Sequence, residues 1–169
     1  MRIGIRSKVL FAYGVLAFIG VSNFGLLWVS EKKTVELEGW VSHTHRVLQT
    51  SESFLGRLIA AETGQRGFLL TGEDEYLEPY NDGVDKARSN FKTLLSLTSD
   101  NALQQSRLMS IGAKMDEKFS ELEETINLAK RGMSDKALGI VKSNVGKETM
   151  DAIHVYLVEF QAEEQRLLK

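Results

Sequence analysis

The sequence predicts an all-α protein, an N-terminal transmembrane helix followed by an antiparallel four-helix bundle. Three observations predict it. Residues 9–29 read VLFAYGVLAFIGVSNFGLLWV without a charge, close to the roughly 20 apolar residues that a helix needs to cross about 30 Å of hydrocarbon. Beyond them, apolar residues recur in alternating steps of four and three, the spacing of one helix face. Proline occurs once, at Pro79, and that scarcity favours long uninterrupted helices over a turn-rich sheet.

The 169 residues are 43% apolar and 26% charged, which suits one modest core and not a second. The first thirty residues hold Arg2, Arg6 and Lys8 and no acid, so the remainder has 18 basic and 23 acidic residues, a net −5. Such mild acidity argues against a nucleic-acid partner for the soluble part. Cysteine is absent, which excludes disulfides and thiolate metal sites and fits either redox compartment.

Arg2, Arg6, Lys8 and the free amine precede the apolar run, whereas Lys32 and Lys33 follow it within SEKKTVELE. The positive-inside tendency places residues 1–8 in the cytoplasm, 9–29 in the cytoplasmic membrane, and 30–169 outside as a periplasmic or extracellular domain. A cleaved signal peptide is the competing reading. Against it, the run exceeds the ~7–15 apolar residues of a signal, and no small-x-small site follows. Gly14, Gly20 and Gly25 form no strict GxxxG pair, so glycine-mediated pairing of this helix is only weakly suggested.

The first stripe of the soluble part runs Leu37, Val41, Thr44, Leu48, Ser51, Leu55, Leu58, Glu62, Gln65, Leu69. A second begins near Asp74 and uses Leu77, Tyr80, Val84, Ala87, Phe91 and Leu94. TSDNAL stops it and offers Ser99, Asp100 and Asn101 as caps for a third helix. Leu108, Ile111, Met115, Phe119, Leu122, Ile126 and Ala129 stripe that helix. KRGMSDKA then ends it, with Gly132 in the C-terminal position, and starts a short helix at Ser134 or Asp135. The last helix, Lys147 to Lys169, carries Met150, Ile153, Leu157, Phe160 and Leu167. At 1.5 Å per residue the first helix, Ser30 to about Leu70, reaches roughly 60 Å from the membrane and the last returns about 35 Å. The chain is therefore expected to stop short of a second membrane helix some ~15 residues further on. A single-pass anchored protein with a free outer end is the alternative.

Ala61 to Tyr80, AETGQRGFLLTGEDEYLEPY, interrupts the apolar pattern. Glu62 and Arg66 form an i,i+4 pair in the favoured acid-then-base order. Glu62 and Gln65 also occupy stripe positions that elsewhere hold leucine, so they are expected in the bundle interior or at a dimer seam. A buried charge there requires partners. For Glu62, Gln65 and Arg66 a register-fixing polar layer, direct ligand contact and a signalling hinge all stay open. Gly64 and Gly67 each sacrifice ~1 kcal/mol of helix propensity, which points to close helix approach or a local break. After Gly72, the acids Glu73, Asp74 and Glu75 open the second helix, where its dipole favours them. Pro79 implies a kink or a helix that starts near Glu78. Tyr76 and Tyr80 lie one turn apart and either stack on Arg66 or a ligand, or pack in the core with their hydroxyls on polar neighbours. Lys147 and Asp151 are another i,i+4 pair, in the less favoured order.

Catalysis finds little support. His43 and His45 are two apart, about 200° around a helix, and cannot share a metal as i,i+4 histidines do. His154 stands alone. There is no phosphate-cradling glycine loop and no nucleophile with a base at a recognisable spacing, so no metal, cofactor or enzymatic activity is expected of the visible chain.

AETGQRGFLLTGEDEYLEPY, LTSDNALQQSRL (Leu97 to Leu108), GKETMDAIHVYL (Gly146 to Leu157) and EEQRLL (Glu163 to Leu168) together resemble the third class of CHASE domains. These are the cyclase- and histidine-kinase-associated sensory extracellular domains. The resemblance extends over Val35 to Lys169, and its motifs take in Asp100, Asn101, Gln105, Lys147 and Asp151. His154 departs from it, standing where the family usually has arginine. The resemblance implies a four-helix extracytoplasmic input module, most often of a sensor histidine kinase, with a chemoreceptor or diguanylate cyclase as the alternative. It implies homodimerisation across a two-fold axis, with the first helix's stripe as one seam, and an unidentified small-molecule or protein ligand. A membrane-anchored structural tether that senses nothing is the rival from another class.

Overall fold

The computed structural model describes the backbone of residues 5–167 and the side chains of Tyr13, Gly14, Phe18, residues 20–24 and residues 39–167. Its elements are α1 (Ile5–Thr71), a short 3-10 turn (Asp74–Tyr76), α2 (Leu77–Leu97), α3 (Ala102–Lys130), α4 (Ser134–Lys142) and α5 (Val145–Leu167). No strand occurs among the described residues, so the all-α class holds.

The chain divides into two compact units, Met1–Ser42 and His43–Lys169. Most side chains of the expected membrane span, 9–29, lie outside the described residues. Among the described residues no helix is long and apolar enough to cross a membrane.

In the second unit, four helices supply one core. Val47, Phe54, Leu58 and Ala61 come from α1, and Ala87 and Leu94 from α2. Leu108, Ile111, Met115, Phe119 and Leu122 come from α3, and Ile153, Leu157 and Phe160 from α5. Each set recurs at helical spacing, so each helix buries a single stripe. A smaller cluster of Phe68, Leu77 and Ile126 lies where α1 gives way to α2, with Leu69, Tyr80 and Ala129 against it. Thr44, Ser51, Leu58 and Gln65 of the first stripe are all buried. These four positions of the expected dimer seam lie inside the chain's own core, whereas Val41 of the same stripe is 42% exposed.

The connections follow local chemistry. Gly72 takes φ +74° and its N–H donates to Phe68 O at 2.8 Å, closing α1. Because α2 begins at Leu77, Pro79 falls in its first turn, where a missing N–H is not needed. Asn101 is the cap that α3 uses, its side-chain oxygen accepting from Gln104 N at 3.1 Å. At the other end of α3, Gly132 N–H donates to Ala129 O and Met133 N–H to Leu128 O, both at 2.9 Å, the paired bonds of a Schellman stop. α4 starts at Ser134, and α5 begins at Val145, two residues before the sequence expectation.

Candidate functional site, a polar layer between three helices

The stripe positions that lack leucine meet inside the second unit. Gln65 is 1% exposed, and its Nε2 donates to Thr125 Oγ1 of α3 at 2.7 Å. That hydroxyl donates onward to Leu122 O at 2.9 Å, so the amide and the hydroxyl satisfy each other without water. Glu62 Oε1 accepts from Arg66 at 2.9 Å and from Lys118 Nζ at 3.1 Å.

Lys118 is the centre of the layer. Although a lysine, it is only 2% exposed. Its ammonium also donates to Glu121 Oε2 at 2.9 Å and to Gly146 O of α5 at 3.3 Å. Those three acceptors match the three protons of an ammonium, and they come from α1, α3 and α5. With Arg66 included, the cluster pairs two cations with two carboxylates. A Cβ on Gly146 would lie 2.8 Å from Lys118 Nζ and 2.7 Å from Glu121 Oε2, so a side chain at the head of α5 would make the charged ends of the ion cluster shift.

The glycines near the α1–α2 junction serve close approach. A Cβ on Gly64 would meet Tyr76 O and Tyr80 N at 2.7 Å each, and one on Gly67 would come within 2.2 Å of Tyr76 Cδ1. The Tyr76 ring therefore packs against α1 at Gly67. Arg66 points outward, with 59% of its side chain exposed. Tyr80 is half-buried against both apolar clusters. Burial pushes its phenol above the usual range, and the Glu123 carboxylate adds to this while Arg88 opposes it.

A second polar group joins α3 to α5 near the start of α3. Gln104 Nε2 donates to Glu164 Oε1 at 2.6 Å and to Phe160 O at 3.0 Å, and Gln104 Oε1 accepts from Arg107 at 3.1 Å. Gln105 ties the α2–α3 turn, donating to Leu95 O and Thr98 Oγ1. Asp100 is exposed on that turn, and Lys147 pairs with Asp151 on the outer face of α5.

The structure thus gathers Glu62, Gln65 and Arg66 around one layer, with Tyr76 and Tyr80 beside Gly64 and Gly67. It leaves Asp100, Asn101, Gln105, Lys147 and Asp151 elsewhere. Sequence reasoning missed Lys118, Glu121, Thr125, Gln104 and Glu164. The signal for Lys118 was present, because Leu108, Ile111, Met115, Lys118 and Leu122 keep the alternating three-and-four steps that singled out Glu62. Among the described residues no group of histidines and acids is arranged to hold a metal.

With this geometry in view, the comparisons give a consistent result. The profile of the CHASE3 domain family matches residues 37–169. The chain is similar in structure to the sensor domain of the histidine kinase HK9 from Rhodopseudomonas palustris, with a TM-score of 0.69 and 24% identity. The match covers 73% of this chain and 97% of that one. No curated protein matches the chain. The molecule is a helical sensory domain, the input module of a signalling receptor. Its family is now plain, for the chain belongs to the CHASE3 domain family. Domains of this kind sense rather than catalyse, in line with the reading of the visible chain as no enzyme.

Proposed function

We propose that the chain is the extracytoplasmic input domain of a sensor histidine kinase, anchored in the cytoplasmic membrane by residues 9–29 with its N-terminus inside. Tyr13, Phe18, Val21 and Phe24 support the anchor, being 68%, 73%, 72% and 70% exposed although apolar, as lipid-facing side chains are. The common core of α1, α2, α3 and α5 supports an antiparallel four-helix bundle.

The observation that carries the mechanism is the reach of Lys118 to Glu62 on α1 and Gly146 on α5. Glu62, Gln65 and Arg66 act as the register layer between α1 and the α3–α5 pair. A signal that slides or rotates α1 has to exchange these bonds for another set, which makes the layer a two-position element rather than a continuous spring. A ligand drives the exchange only by binding one position better than the other. The module works as a homodimer across a two-fold axis, through a face other than the buried stripe of α1.

Two experiments test this. Arg66→Glu is expected to lower the melting temperature and disturb signalling together; unchanged melting with signalling lost would refute the register role and favour ligand contact or a hinge. Reading the DNA downstream of Lys169 tests the receptor class. A membrane helix followed by a kinase is expected, a cyclase or methyl-accepting segment would reassign the output, and a stop codon would favour the tether.

A further inference from the structure

Where α1 gives way to α2 and α3 gives way to α4, the second unit carries a cleft of about 510 Å³ that the polar layer does not use. This is within the range of small-molecule sites. Phe68, Leu69 and Ala129 make it apolar in part, and two charged residues of opposite sign line it, Lys130 from α3 and Asp74 from the α1–α2 connection. The Lys130 ammonium stands 5.8 Å from the centre of the Phe68 ring. Among the described residues neither Lys130 nor Asp74 enters an ion pair. Beyond Lys130, α4 opens at Ser134, which also lines the cleft. Its N-cap residue Met133 supplies no side-chain bond, and while Lys136 N–H bonds Met133 O, the N–H groups of Ser134 and Asp135 lie at the positive end of a helix dipole that the Asp135 carboxylate partly offsets.

One cation with a helix start, one carboxylate and an apolar surface are complementary to a molecule that has all three opposites. We propose that this cleft binds a small zwitterion of the amino-acid kind with an apolar side chain. Its carboxylate meets Lys130 and the first turn of α4, its ammonium meets Asp74, and its side chain lies on Phe68, Leu69 and Ala129. A simple anion would leave Asp74 facing a like charge, and a simple cation would do the same to Lys130. The role of the cleft rests on the sensory reading above. Phe68 follows Gln65 by three residues and Ala129 follows Thr125 by four, so a ligand touching both stands one turn from the hydrogen bond that joins α1 to α3.

Calorimetry on the full chain in detergent, with L-leucine, L-phenylalanine and L-methionine as probes, tests the site. Saturable binding of at least one is expected. Its analogues without the carboxylate or without the amine (isoamylamine and isocaproate for leucine) should bind roughly tenfold more weakly or worse, each having lost a charge-assisted contact. Lys130→Gln and Asp74→Asn should each weaken the zwitterion by a similar factor, while Lys92→Gln, on the exposed face of α2, should not. No binding by any probe, unchanged affinity in both cleft variants, or equal binding of the amine-free acid overturns the proposal. The sensory role is read separately. The chain has no cysteine, so spin labels at Glu52→Cys on α1 and Glu159→Cys on α5 report the distance between those helices. A ligand-dependent change supports site and role together; binding without a change upholds the site and removes its part in sensing.

Discussion

Lys118 shows how much one buried charge decides. Its removal as Lys118→Met leaves Glu62 with Arg66 but strips Glu121 of its cation, and both carboxylates are mostly enclosed, at 16% and 11% side-chain exposure. A loss of about 3 kcal/mol is expected, at the lower end of what breaking a buried pair costs, because the Arg66 edge of the cluster is open to solvent. Urea unfolding of the full chain in detergent measures it. Replacing Glu62, Lys118 and Glu121 together by Leu, Met and Leu should recover most of that loss, since no buried charge is then left unmatched and the one charge that loses its partner, Arg66, is 59% exposed; a triple variant weaker than the single one would contradict this account. Tyr80 supplies a pH dependence at the same scale. Its folded-state proton is held above the ordinary phenol value of 10.0, so the folded state binds that proton more tightly than the unfolded chain does. The corresponding stability is fully present below pH 10 or so and is lost as pH rises through the folded pKa. Tyr80→Phe should flatten this part of the alkaline melting curve, and a curve of unchanged slope would assign the loss to other groups.

Within the elements, caps and glycines separate residues that look alike in sequence. Asn101→Ala should cost about 1 kcal/mol by removing the bond that Gln104 N donates, whereas Asp100→Ala should change stability by less than about 0.5 kcal/mol. Equal effects would show that the cap had been misassigned. The glycines split the same way. In Gly64→Ala the new methyl meets the backbone of Tyr76 and Tyr80, and overpacking of about 1–3 kcal/mol is expected. Gly139, inside α4, has nothing within 4 Å of an added Cβ, so Gly139→Ala should stabilise by about 0.5–1 kcal/mol. Thermal melting of the two variants side by side checks the opposite signs.

At the scale of the whole molecule, the compact unit begins at His43 and contains every residue of both apolar clusters. A chain lacking residues 1–42 is therefore expected to keep its helical content and to unfold in one cooperative step by circular dichroism. A gradual, non-cooperative melt would mean that the preceding part of α1 is needed to form the core. Within this unit α1 lines the cleft at Phe68 to Thr71 and also carries Glu62 and Gln65 of the layer, so the proposed ligand contact and the layer share one helix.

The amino-acid sequence by itself determined the helical class, the helix order and most of the boundaries, because helical periodicity, caps and stop signals act over a few residues. Gly132, Asn101 and the alternating stripes are of this kind. It also showed that Glu62 and Gln65 sit on a buried face, since a stripe position carries burial with it. Which atoms satisfy them was decided only by the tertiary structure. Lys118 lies 56 residues from Glu62 and Thr125 lies 60 from Gln65, and spacing within one helix carries no information about which residue of another comes opposite. The same reason accounts for Tyr76 settling on Gly67 rather than on Arg66. It accounts, too, for Thr44, Ser51, Leu58 and Gln65 of the first stripe being buried in the chain's own core.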